Sequence, residues 1–220
     1  QSVVDAAALR PEAGGALHDV DGDGLLDIVL AGDFMSNEIW WWKNPGATAF
    51  GSAWTRYTAK NSGANKHHDI AFGDFDNDGS DEFAYWNQGN GNTVNDLFIA
   101  EIPADPTTSS SWPAQVVVDA TTFSEGLAVG DVDVDGDDDL VGGGRIISYN
   151  STTSSYDVTT VNLAEASYRW HIADIVQGGR PELITASGDN PGGLGYYEWD
   201  GAAWVYTTLL THDLAGTWSE

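Results

Sequence analysis

Short apolar runs recur along this chain, separated by glycine-rich polar stretches, and no segment sustains the periodicity of an amphipathic helix. In one repeat Leu127-Ala-Val-Gly130 and Leu140-Val-Gly-Gly143 flank an acidic stretch, which predicts two short strands joined by a loop. A third strand is predicted at Ile39–Lys43, Leu97–Glu101, Arg145–Tyr149 and Leu194–Trp199, and a fourth at Trp54–Tyr57, Gln115–Val118, Tyr156–Val161 and Trp204–Thr208. Linkers such as Asn44-Pro-Gly46, Pro103-Ala-Asp-Pro106 and Asp189-Asn-Pro-Gly-Gly193 supply turn residues. Four strands per unit predict an all-β chain of four-stranded β-propeller blades, four of them visible, at about 13–60, 68–120, 125–163 and 168–212 of a single array spanning 1–220.

The connection inside each inner hairpin carries the chemistry. Asp131-Val-Asp133-Val-Asp135-Gly136-Asp137-Asp138-Asp139 places carboxylates at positions one, three, five and nine, with glycine at six. Like charges crowded on one point repel strongly unless a cation joins them. A hard ion with a flexible shell of oxygen ligands is the natural partner, which points to Ca²⁺. Asp19, Asp21, Asp23 and Asp27 repeat the spacing around Gly24, and Asp74, Asp76, Asp78 and Glu82 repeat it around Gly79. An EF-hand needs an acid at position twelve, where this chain has Leu30, Tyr85 and Gly142. A fourth copy, Asp174 to Glu182, keeps only its first and last acids, with Val176 and Gly178 at three and five. No metal is expected there, and Arg180 is the candidate to neutralise the surviving pair. The loops start at 19, 74, 131 and 174, intervals that fit an array of blades.

Composition narrows the partners. A net charge of −26, with only 8 basic residues, repels nucleic acid and anionic lipid and excludes both as partners. Disorder is excluded by ten tryptophans and 41% apolar content. The chain has no cysteine, so no disulfide or thiol chemistry operates, and calcium takes over the stapling role. Open loop sites suit extracellular calcium levels, so the expectation is a secreted protein, inferred from calcium use in the absence of a visible signal peptide or membrane-spanning run.

Phe72-Gly-Asp-Phe-Asp-Asn-Asp-Gly79 and Ala128-Val-Gly-Asp-Val-Asp-Val-Asp-Gly136 resemble the FG-GAP/VCBS repeats of integrin-α-like calcium-binding propellers, and similar blades cover nearly the whole chain. The resemblance implies calcium in the loop between the first and second strands of each blade, held by the twelve acids named above, with the fourth repeat departing from the pattern. It is specific for fold and metal but poor for function. Such blades occur in adhesion receptors, fungal lectins, polysaccharide lyases and sugar dehydratases.

The ends suggest an unclosed ring. Val3-Val4-Asp5 is similar to Val117-Val118-Asp119, so residues 1–6 read as a stray outer strand, and Thr217-Trp-Ser-Glu220 is similar to Thr122-Phe-Ser-Glu125, which leads into a first strand. A longer propeller, a homodimer completing an eight-bladed ring and a closed four-bladed monomer all remain open.

Ligand chemistry is expected on the face opposite the acidic loops. His67 and His68 in one repeat, and Glu125, Tyr168, Arg169, Trp170 and His171 in later ones, supply a base, an acid, a cation and aromatic surface, as a sugar site requires. The leading reading is a secreted module that binds carbohydrate or another extracellular ligand without chemistry. A sugar-active enzyme, a polysaccharide lyase or dehydratase using His67, His68, Arg169 or His171, is the alternative, and a protein–protein adhesion module the second. The Trp40-Trp41-Trp42 run alternates along a strand and reads as packing between blades, with a sugar-stacking platform as the rival.

Overall fold

The structure, a computed structural model, describes residues 4–89, 94–121, 123–166, 168–187 and 192–212. They form sixteen strands in four antiparallel sheets, each a propeller-like blade, with no α-helix among the described residues. The first sheet holds β1 (Pro11–His18), β2 (Asp27–Gly32), β3 (Ile39–Lys43) and β4 (Thr55–Lys60). The second holds β5 (His67–Gly73), β6 (Glu82–Asn87), β7 (Asn95–Glu101) and β8 (Ala114–Ala120). In the third, β9 (Ala128–Gly130), β10 (Asp139–Gly142), β11 (Arg145–Asn150) and β12 (Ser155–Thr160) follow the same order. The fourth comprises β13 (Arg169–Ala173), β14 (Glu182–Ser187), β15 (Gly192–Trp199) and β16 (Trp204–His212). Every acidic loop therefore joins the first two strands of its sheet.

The chain forms two compact units: residues 1–73 with 80–123, and residues 74–79 with 124–220. In the first unit Val29, Ile39, Trp41, Phe83, Tyr85 and Trp112 make a common core. Strand alternation puts Trp41 into that core while Trp40 and Trp42 pack with Trp54 on the opposite face, so all three tryptophans are buried. In the second unit Val132, Val141, Ile146, Trp170, Leu183 and Tyr197 form the core.

Two details depart from the sequence pattern. Of the outer strand expected at residues 1–6, residues 1–3 lie outside the described residues and 4–6 are not in a strand; Val4 accepts a hydrogen bond from the Trp54 N–H at 2.8 Å and packs on the Trp40–Trp42 face. The Thr217–Glu220 similarity also lies outside the described residues. In the fourth repeat Arg180 lays its guanidinium over the Trp199 ring at 4.8 Å, so its charge is placed over an aromatic face.

Candidate metal centre

The acidic loops share one backbone design. The position-one carboxylate accepts the N–H groups of positions five and six: Asp19 from Asp23 and Gly24, Asp74 from Asp78 and Gly79, and Asp131 from Asp135 and Gly136, at 2.8–3.1 Å. The chain takes a left-handed bend at position four (Gly22, Asn77, Val134) and again at the position-six glycine. The residue at position two, Val20, Phe75 or Val132, is buried as an apolar plug.

Around this frame the carboxylates converge. Asp19, Asp21 and Asp27 place oxygens within 4.8 Å of one another, as do Asp74, Asp76 and Asp78, and Asp131, Asp133 and Asp139. Asp23 and Asp135 fall outside those sets and accept the N–H groups of Leu25 and Asp137 instead. Glu82, the last acid of the second loop, is wholly buried at the head of β6. Burial, with neighbouring carboxylates adding to it, raises the pKa of Asp27, Asp76 and Asp133, and burial lifts Asp139 to about 6. Buried oxygens Asp21 Oδ1 and Asp133 Oδ1 have no hydrogen-bond donor among the described residues. Hard oxygen donors, crowded charge and unpaired buried oxygens together fit a divalent cation.

The first loop differs in holding a cation of its own. Lys43 contacts Asp21 and lies 2.6 Å from Asp23. Partial burial pulls on its ammonium, but the bonds to Asp21 and Asp23 outweigh it and hold the pKa above the usual lysine value. One step beyond the Ile28–Trp42 pair, Lys43 faces Asp27 across the ladder; the same register puts Glu101 opposite Glu82 and Ser148 opposite Asp139. Sequence reasoning passed over Lys43 because the partnership depends on strand register.

The last acid has a separate task. Asp27 accepts the Val20 N–H at 3.1 Å, and Asp139 accepts that of Val132 at 2.7 Å. Glu182 in the fourth loop does the same, with Oε2 taking both Ile175 and Val176 N–H groups at 2.8 and 3.0 Å.

The candidate ligand residues divide between the units. His67, in the first, is fully buried; Nδ1 lies 3.0 Å from the Gly32 carbonyl and Nε2 2.9 Å from Lys60 Nζ. The carbonyl can only accept, so Nδ1 carries the proton and Nε2 accepts from Lys60. Burial first, then the lysine charge, depresses the His67 pKa to about 3 and keeps the ring neutral. His68 is buried with Phe123 against its edge. In the second unit Arg169 pairs with Glu125 at 3.0 Å, His171 is exposed on β13, and Trp170 is a core residue stacked on Tyr197. Tyr168 stands half-buried just before β13. His18, where other repeats have glycine, stacks on Phe72 with ring centres 4.2 Å apart.

Residues 19–85 match a family model described as an FG-GAP-like repeat. No curated protein matches the sequence. Among solved structures, the crystal structure of the V. cholerae biofilm matrix protein Bap1 aligns with 89% of this chain at a TM-score of 0.57 and 16% identity. This chain spans 28% of the length of that one, and at such identity the likeness is one of fold.

Proposed function

We propose that this chain is an extracellular, calcium-stabilised ligand-binding module, with carbohydrate as its ligand class. The repeated loop geometry carries the reading. Three times, a carboxylate cluster is held open on a backbone frame that the chain assembles from its own N–H groups. Asp19, Asp21, Asp23 and Asp27 would hold one ion, Asp74, Asp76, Asp78 and Glu82 a second, and Asp131, Asp133, Asp135 and Asp139 a third. Bound calcium supplies charge neutralisation and a cross-link within each inner hairpin.

Extracellular placement is supported by the fold shared with a biofilm matrix protein and by the suitability of open loop sites to millimolar calcium. Among the described residues no helix is long and apolar enough to cross a membrane. Binding without chemistry is favoured over lyase chemistry because His67 has both ring nitrogens engaged and no exposure, while Arg169 is already paired with Glu125.

Melting in millimolar calcium and in EGTA tests the metal role. Three sites near saturation predict a fall on the order of 10 °C or more when calcium is removed, and an unchanged melting temperature would overturn that role. Passage over immobilised neutral and acidic polysaccharides tests the ligand. Retention with polymer length intact is expected; no retention on any of them overturns the carbohydrate reading, and shortened or unsaturated product replaces it with an enzyme.

A further inference from the structure

A cavity of about 440 Å³ opens within the first compact unit, with none of the acidic-loop carboxylates in its lining. Its floor is one face of β6 and β7, where three cross-strand pairs lie in line: Phe83–Ala100, Tyr85–Phe98 and Asn87–Asp96. The space exists because small side chains face it. Ala100 stands opposite Phe83, and Ala59, Gly63, Ala64 and Ala114 complete the walls where larger residues would fill the volume.

The floor is apolar in the middle and polar at one end. The Tyr85 and Phe98 rings stack nearly parallel, 7° apart with centres at 5.2 Å, and both border the cavity. Tyr85 is only 3% exposed, yet its hydroxyl has no hydrogen-bond partner among the described residues. Burial raises its pKa, so the hydroxyl stays protonated and can donate as well as accept. Asp96 adds a half-buried carboxylate at the polar end of the lining.

Lys60 also borders the cavity, but its three ammonium hydrogens are spent on the Asn37 and Ala64 carbonyls and on His67 Nε2. Asn87 in turn donates to the carbonyls of Ala64, Asn65 and Lys66. Both residues therefore fix the wall between β4 and β5, and His67 acts by holding Lys60. The groups left for a ligand include an aromatic face, the Tyr85 hydroxyl and the Asp96 carboxylate, with the Trp112 indole N–H, which has no acceptor among the described residues, also in the lining.

We propose that this cavity binds one neutral pyranose ring of a glycan. A pyranose presents C–H groups on one face and hydroxyls around its edge. The first matches the half-buried Phe98 ring stacked on Tyr85; the second match the Tyr85 hydroxyl and the Asp96 carboxylate. The volume falls in the range of about 300–1,000 Å³ that small-molecule sites take. Acidic sugars are disfavoured by Asp96 itself, by Asp119 paired with it across the ladder, and by the net charge of −26. The inference rests on the carbohydrate reading above and gives it a location.

The test uses the full chain in calcium, with methyl glycosides of glucose, galactose and mannose and the polysaccharide columns as probes. Saturation-transfer NMR and calorimetry are compared between the parent and Tyr85→Phe, Asp96→Asn and Ala100→Leu. Ala100→Leu fills the floor and is expected to abolish binding, while Tyr85→Phe and Asp96→Asn each weaken it about tenfold. Tyr85→Phe removes only an unbonded oxygen, so its melting temperature should equal the parent's and guard against a folding artefact. Undiminished glycoside binding in Tyr85→Phe and Asp96→Asn would overturn the cavity and leave the carbohydrate module standing. A parent that binds neither glycoside nor polysaccharide overturns both.

Discussion

The third and fourth acidic loops belong to the same compact unit and occupy the same place in their sheets, yet they are built differently. In the third, Val132 is a buried plug, Asp131 gathers the N–H groups of positions five and six, and the left-handed bends fall at Val134 and Gly136. In the fourth, Ile175 is 50% exposed and the bends fall at Gly178 and Gly179, positions five and six. What both retain is the buried last acid bonded to backbone near position two. The last acid closes the hairpin whether or not its neighbours are acids, and where acids also stand at one and three, as in the third loop, its carboxylate converges with theirs.

Exchanging the two kinds of acid sharpens this contrast most. Glu182→Ala strips two part-buried N–H groups of their acceptor and should cost about 1 kcal/mol, equally in calcium and in EGTA. Asp133→Asn should destabilise only in calcium, because in EGTA it relieves repulsion with Asp135 and Asp131. Urea unfolding of both variants under both conditions checks the pair. A calcium-dependent effect of Glu182→Ala would erase the distinction.

Lys43 separates the first loop from the third. Because its ammonium occupies Asp21 and Asp23, calcium must displace it, and the first site should bind more weakly than the third. Lys43→Met should raise the affinity of one site about tenfold while lowering the melting temperature in EGTA slightly. Calorimetric calcium titration reads both classes of site; unchanged isotherms would make the two loops equivalent.

An effect of similar size concerns backbone strain. Val134 is an exposed β-branched residue with φ of 66°, a conformation in which the equivalent positions of the other loops carry Gly22 and Asn77. Val134→Asn should stabilise by about 1 kcal/mol, visible as a higher urea midpoint with or without calcium. A loss of stability would mean the valine side chain contributes contacts that outweigh the strain.

Much of this was legible beforehand. The third strand at Ile39–Lys43 follows from its apolar run and flanking turn residues, and the alternation of Trp40, Trp41 and Trp42 follows from the period of two. The acid spacing marked the loops because a nine-residue turn leaves few ways to place four carboxylates. Its limit is visible at Asp23 and Asp135, whose matching spacing does not bring them into the converged oxygen sets. The histidines were misleading in the same way: adjacency to a turn made His67 resemble an exposed base, while its contacts with Gly32 and Lys60, 35 and 7 residues away, make it part of a wall.

The sequence by itself therefore determined the elements whose causes are local: four-stranded units, turn positions, and the acid-rich hairpin loops, each set by side-chain period, glycine and short-range charge. Only the tertiary structure decided which groups remain available. Register brought Lys43 to an acidic loop, small residues distant in sequence left a cavity beside Tyr85 and Phe98, and burial turned His67 from a candidate base into a neutral support. These outcomes depend on desolvation and on contacts between distant strands, which no local pattern along the chain encodes.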